Sequence, residues 1–326
     1  MEPIIDKDTF EKMLKAAGIK NMPTPEESYR MMNQFDIKIP SFLYRFQSTK
    51  RIKQVLQEKQ IFIQTPAKMN DIFDFQPIFD YSISQDDAIK LINELDKRGF
   101  LKEVGPADKI VNDILKMNSN ELVHKMKAFC GDFFIQLFEE QKMCTKILCF
   151  IENYDNQLLW AHYADEYKGV CVQYNFTTMD NVSKLSVRKV IYDDNTPSIK
   201  LYDRFLNPMD YLVSLVKTVL VKNTDWKYEN EWRLVLADQF GTWCGEKRYI
   251  PLRDDFITSI IFGVRTPIEE IIEIRDLVIG KDIELFKCFL DDQRSRKFKY
   301  GHLDKEKISL NNELPILEYY DSFASS

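Results

Sequence analysis

Glycine and histidine are scarce in this 326-residue chain, at 10 and 3 residues. So few glycines leave little material for phosphate-cradling loops. Neither GxGxxG after a strand nor GxxxxGK[ST] occurs, which excludes a Rossmann dinucleotide site and a Walker-type nucleotide site. HExxH, GxSxG, HRD and DFG are also missing. His124, His162 and His302 are too few and too scattered for a histidine-rich metal centre. No uninterrupted apolar run approaches the roughly 18 residues of a membrane-spanning helix. There is no excess of basic charge either: 45 Lys and Arg against 51 Asp and Glu leave a net charge of −6, which disfavours whole-surface capture of nucleic acid. The six cysteines show no CxxC spacing and sit in apolar stretches, the pattern of reduced core thiols. A cytoplasmic protein without a membrane anchor is the expectation.

What the chain has in quantity is aromatic residues, 23 Phe and 15 Tyr. Residues 1–40 have helical spacing and read as an N-terminal arm. SFLYRF (41–46) suits a buried strand, STKRIKQVLQEKQ a helix capped by Ser48, and IFIQTP a second strand ended by Pro66. Residues 85–147 hold three helix-period segments and read as a helical insertion. Strand signals resume at KILCFIE, VCVQYNF and VRKVIYD. FLNPMDYLVSLVKTVLVK (205–222) reads as one long helix. EWRLVLAD, RYIPL, SIIFGV and DIELFKCFL follow as strands, with a helix from Pro267 to Val278 between the last two. Residues 291–326 read as a looser C-terminal extension. Strands and helices alternate without a doubly wound rhythm, so the expected class is α+β: a mixed, aromatic-rich central sheet over residues 41–290 carrying the helical insertion.

Three constellations could carry chemistry. In DWKYENEWRLVLAD, the two-residue spacing of Glu229, Glu231 and Arg233 along one strand puts all three on one face, with Trp226 and Tyr228 close by. Two carboxylates and a guanidinium so aligned suit either a pocket wall or a solvated edge. In LLWAHYADEYKGVCVQY, His162 and Tyr163 sit among aromatics and charges, and Gly169 offers a positive φ at the turn. A lone histidine of this kind is more often structural than a general base. Lastly, Tyr44-Arg45 on the first strand and Asn70, Asp71 and Asp74 on the loop after the second could face one another. Arg45 in an aromatic strand needs an anionic partner, and the loop aspartates either cap local backbone or hold a hard cation.

Taken in order, YRF, TPAKMNDIFDF, WAHYADEYKG, WKYENEWRLV and SIIFGVRTP resemble the signature of a bacterial family of unknown function. That signature is Y-[KR]-[FY], F-N-D-P-F-D, M-W-[AS]-H-Y-[AS]-x-x-H-K-G and W-x-Y-E-x-E-[WY]-R. This chain has Met69 for Phe, Ile72 for Pro, Leu159 for Met and Tyr167 for His; the last removes a second histidine. More distantly the arrangement is similar to ADP-ribosyltransferases, and that resemblance implies NAD as substrate. It assigns Arg45 to a pyrophosphate oxygen, Thr65 to the small hydroxyl of the next strand, Glu231 to the essential glutamate of E-x-E, and Glu229 to orienting or deprotonating the acceptor. Tyr163 or Trp226 would stack on nicotinamide. Tyr44, Asn70, Asp71 and Arg233 complete the expected contact set, with His162 as a further catalytic group. The acceptor (protein, nucleic acid, small molecule or water) is left open. So is a toxin-like or phage-defence role with a partner that restrains the enzyme. Two other classes stand beside this one: a nuclease holding Mg or Mn with Asp71, Asp74, Glu229 and Glu231, and a non-enzymatic binding module in which Arg45, His162 and Glu231 form a buried network.

Overall fold

The computed structural model describes residues 39–178, 187–236, 249–291, 297–310 and 313–322. The expected N-terminal helical arm therefore lies outside the described residues, save for residues 39 and 40. Strand β1 (Phe42–Gln47) alternates, sending Leu43 to one core cluster and Tyr44 and Phe46 to another. Helix α1 (Thr49–Glu58) starts where the Ser48 side chain accepts the Arg51 N–H. It buries Ile52, Val55 and Leu56 as one stripe. β2 (Gln60–Phe62) and a 3-10 turn at Pro66–Lys68 lead to β3 (Ile78–Asp80). The insertion is helical as expected, with α2 (Gln85–Lys97), α3 (Ala107–Ile114) and α4 (Ser119–Cys144). Asn118 and Glu121 open α4 with a reciprocal capping box.

β4 (Lys146–Ile151), α5 (Gln157–Tyr163) and β5 (Val170–Asn175) follow, then β6 (Val187–Lys189), β7 (Ile191–Tyr192) and β8 (Ser198–Lys200). The long helix expected over 205–222 is two, α6 (Asp203–Leu206) and α7 (Pro208–Leu220). The ring of Pro208 drives Asn207 out of the helical region, to φ −135° and ψ 69°. Next come β9 (Val221–Lys222), a 3-10 turn at Thr224–Glu229 and β10 (Glu231–Leu236). The chain ends with β11 (Tyr249–Pro251), β12 (Ile257–Phe262), α8 (Ile268–Val278), β13 (Glu284–Leu290), β14 (Phe298–Leu303) and β15 (Ile316–Tyr320).

Among the described residues nine strands form one sheet in the order β15-β14-β13-β12-β5-β1-β4-β10-β6, with β12 and β13 parallel and the other neighbours antiparallel. β14 and β15 belong to this sheet, so the segment read as a C-terminal extension continues the fold. α1 and α8 cover one face, packing Ile271, Ile274 and Val278 over Val172, Ile260 and Phe262. On the other face, insertion helices and α7 pack at the β4 end, and an aromatic cluster around Trp160 fills the β1–β5–β12 end. Trp160 is fully buried and its indole N–H reaches the Tyr154 carbonyl at 2.8 Å. Cys130, Cys149, Cys171 and Cys288 are free, but Cys144 is disulfide-bonded, which departs from the expectation of six reduced thiols. Among the described residues no helix is long and apolar enough to cross a membrane.

One irregularity positions the site. β1 pairs with β5 along all six of its residues, but with β4 only at Tyr44 opposite Ile151. Past that point the two strands part. Gln64 takes over the edge of β4, its N–H reaching the Ile147 carbonyl at 3.1 Å and its carbonyl accepting the Ile147 N–H at 2.7 Å. The central sheet is split.

Candidate functional site

The split opens a cavity of about 140 Å³. Tyr44, Arg45 and Phe46 of β1 line one side, Cys149 and Ile151 of β4 the other. Gln64, Met69 and Asn70 close it from the loop after β2, and Leu159 and Tyr163 from α5. Lys222, Glu229 and Glu231 complete the wall. The Arg45 guanidinium makes no hydrogen bond or ion pair with any described residue, although it stands among buried groups. A half-buried guanidinium without an anion, facing a cavity, is chemically disposed to hold one.

The carboxylates arrive by different routes. Glu229 ends the 3-10 turn, Asn230 is left-handed (φ 46°), and Glu231 begins β10. Asparagine tolerates that backbone better than most residues, and the kink turns both glutamates onto one ammonium. Lys222 Nζ donates to Glu229 Oε2 at 2.7 Å and to Glu231 Oε2 at 3.0 Å, and lies 4.6 Å from the Trp226 ring centroid. Arg233 Nε donates to Glu231 Oε1 at 2.8 Å, and its Nη2 reaches both Asp74 oxygens at 3.1 Å. At the other end Tyr163 donates to Glu229 Oε1 at 2.6 Å and accepts from the Asn70 amide at 2.7 Å. The chain of contacts is thus Asn70–Tyr163–Glu229–Lys222–Glu231–Arg233–Asp74. Its charged members are three carboxylates and two cations, all at most 4 % exposed in their side chains. Isolated, any of them would be costly to bury; together they satisfy one another.

The shared lysine does not treat its two partners alike. Burial raises the pKa of Glu231, but Arg233 and Lys222 outweigh it and hold the carboxyl at about 2. Glu229 has Lys222 and the Tyr163 hydroxyl to oppose its burial, and burial wins, so its pKa is raised. Asp74 is also raised by burial, against the pull of Arg233. Two neighbouring carboxyls are therefore pushed in opposite directions, the arrangement by which sites separate a fixed anion from a proton carrier.

A family profile for proteins of unknown function, DUF2971, matches residues 159–234. A DUF2971 domain occupies that stretch. No curated protein and no solved structure matches the chain. The DUF2971 stretch supplies Tyr163, Lys222, Glu229, Glu231 and Arg233, whereas Arg45, Asn70 and Asp74 reach the network from outside it.

Among the residues anticipated from sequence, Tyr44, Arg45, Asn70, Tyr163, Glu229 and Glu231 share the cavity wall. Others fall elsewhere. His162 is exposed on α5, because one residue along a helix turns it away from the face that carries Tyr163. Thr65 precedes the 3-10 turn rather than ending a core strand, since the main sheet does not include β2, and Gln64 lines the cavity instead. Asp71 lines a neighbouring cleft, Trp226 packs on Lys222, and Arg233 is buried behind Glu231. Positive φ at the α5–β5 turn falls on Asp165, Glu166 and Tyr167; Gly169 is needed for close approach, as a Cβ there would lie 2.3 Å from the Gln47 carbonyl oxygen. Lys222 and Cys149 escaped the sequence reading. The signal for Lys222 is the second of two lysines in the apolar segment 205–222, seven residues before Glu229.

The donor set does not suit Mg or Mn. Asp74 and Glu231 are bridged by Arg233, Glu229 and Glu231 by Lys222, and among the described residues no group of three or more His, Cys, Asp or Glu could hold a metal ion.

Proposed function

We propose that the cavity in the split sheet is the nicotinamide end of an NAD site, and that the protein is an NAD-using ADP-ribosyltransferase or NAD glycohydrolase. The observation that carries this reading is the juxtaposition of Arg45, which has no anionic partner among the described residues, with the Glu229–Lys222–Glu231 cluster across one small cavity. At about 140 Å³ it matches the roughly 150 Å³ known to hold one benzene ring, and falls short of the roughly 300 Å³ at which pockets hold whole drug-sized ligands. A single aromatic ring would enter, with the rest of the dinucleotide outside and its pyrophosphate against Arg45.

In the reaction the bond between nicotinamide nitrogen and ribose C1′ breaks, the ring nitrogen keeps the electron pair, and C1′ gains oxocarbenium character. An acceptor oxygen or nitrogen then bonds to C1′ and gives up its proton. A fixed negative field near C1′ favours that charge separation. Glu231 supplies a permanent anion, but Arg233 and Lys222 occupy both its oxygens, so a direct bond to a ribose hydroxyl would cost one of theirs. Glu229, linked to the cavity through Tyr163 and raised in pKa, is the better proton acceptor. The proton-carrying role thus stays with Glu229, as the resemblance implied, and Glu231 instead anchors the two cations. A toxin-like or defence role follows from family analogy alone.

NAD consumption by the purified protein, with and without EDTA and with lysate added as a source of acceptor, tests the reading. EDTA-insensitive release of nicotinamide supports it. Failure to release nicotinamide under all conditions would favour the binding-module reading, in which the same buried network is purely structural.

A further inference from the structure

Arg45 and Lys222 both line the cavity in the split sheet, and they differ in what they face. Lys222 is committed to Glu229 and Glu231. The Arg45 guanidinium has no hydrogen-bonding or ionic partner among the described residues. Burial pulls its pKa below the ordinary arginine value, and the nearby Tyr174 and Cys149 do not offset it. Burial acts on Arg233 as well, but there Glu231 and Asp74 outweigh it and the pKa rises. Arg45 therefore carries the cost of a desolvated cation without the anion that relieves it. Two more polar groups on the lining are uncommitted. The Gln64 side chain makes no hydrogen bond with a described residue; only its backbone pairs, with Ile147. Tyr44, 6 % exposed, accepts the Gln173 amide at 2.9 Å on its hydroxyl oxygen, and no described group accepts its O–H. Phe46, Met69, Ile151 and Leu159 make much of the remaining wall apolar. One unmatched cation beside apolar walls suits a ligand with a single negative charge on a flat apolar body.

We propose that this cavity binds a small aromatic monocarboxylate, with its ring between the apolar side chains and its carboxylate on Arg45. The volume of about 140 Å³ takes one ring. The guanidinium fork matches a carboxylate with two parallel N–H···O bonds, whereas a carboxamide offers a single acceptor oxygen. Inorganic phosphate carries more charge than one cation matches and has no apolar body for the walls. The proposal goes beyond the NAD reading and needs only the cavity and Arg45. Where both hold, the acid and the dinucleotide exclude one another, because each uses the ring space and the same guanidinium.

Calorimetric titration of the full chain at low salt with benzoate, its neutral isostere benzamide, and inorganic phosphate tests this without NAD. Benzoate is expected to bind with one-to-one stoichiometry, about tenfold or more tighter than benzamide, and tighter than phosphate. Arg45→Met, which keeps an unbranched side chain but not its charge, should bring benzoate down to the level of benzamide. Met69→Trp, which fills the cavity and spares Arg45, should weaken benzoate as well, and it serves if Arg45→Met does not fold. Absence of benzoate binding, benzamide or phosphate binding as tightly, a preference for benzoate that survives Arg45→Met, or benzoate binding unchanged in Met69→Trp would overturn the proposal. Nicotinamide release, measured separately, decides the NAD reading whichever way these titrations fall.

Discussion

Replacing Lys222 by methionine removes the cation that touches both Glu229 and Glu231, at 2.7 and 3.0 Å, and leaves a side chain of similar length in the same space. Glu231 keeps Arg233, whereas Glu229 keeps only the Tyr163 hydroxyl. Breaking a buried ion pair by deleting one partner costs about 3–5 kcal/mol, because the surviving charge stays buried. The loss should depend on pH, and its sign can be worked out. Glu229 already has a raised pKa in the folded protein, and without Lys222 it rises further. Below the unfolded value, near 4.5, the carboxyl is protonated in both states and the penalty vanishes; it grows as pH climbs towards the folded value. Urea unfolding followed by tryptophan fluorescence at pH 5 and pH 8 measures this, provided the slope is unchanged. The expected deficit is about 3–5 kcal/mol at pH 8 and smaller by at least about 1 kcal/mol at pH 5. A deficit under about 1 kcal/mol at pH 8, or one equal at both pH values, would refute the idea that the lysine holds the two carboxylates together.

Further outcomes follow from the same geometry. Glu231, held at about 2, contributes stability that is complete above its unfolded value and lost as pH falls from about 4.5 towards 2. Asp74 and Glu229 work in the opposite sense, so the difference between wild type and Glu231→Gln across that window isolates it; a difference that does not change with pH there would count against the assignment. Gly169→Ala places a Cβ 2.3 Å from the Gln47 carbonyl oxygen and 2.9 Å from the Ala164 carbonyl carbon and oxygen, all backbone atoms. A loss of about 1–3 kcal/mol, or roughly 2–4 °C per kcal/mol in Tm, is expected, and unchanged melting would contradict the close packing of that turn.

Most of the sheet was legible because its central strands are apolar on both faces. VCVQYN and ITSIIF read as strands in any context, and the insertion helices carry their own period and caps. β14 and β15 were not, since FKYGHL and ILEYY mix charge into half-exposed positions near the sheet edge, where propensity is weak. The site was partly legible. Glu229 and Glu231 were singled out on the assumption of one strand face, and they do meet, but through the left-handed Asn230, which periodicity cannot reveal. Tyr163 was visible from its motif. Lys222 is close to both glutamates in sequence, but nothing in the spacing aims it at them: the pairing of β7 with β9 sets it under both carboxylates, and that is a tertiary fact. His162 and Thr65 failed for the opposite reason, having the right chemistry one residue from the right direction.

Nicotinamide release from NAD by wild type, Glu229→Gln and Glu231→Gln, each with its melting curve, decides whether the cavity in the split sheet is an NAD site. The wild type is expected to release nicotinamide whether or not EDTA is present. Glu229→Gln should lower it by about a hundredfold or more while melting within a few degrees of wild type. Glu231→Gln should lose stability along with activity. Full activity in Glu229→Gln, or no release by well-folded wild type with lysate present, would contradict it.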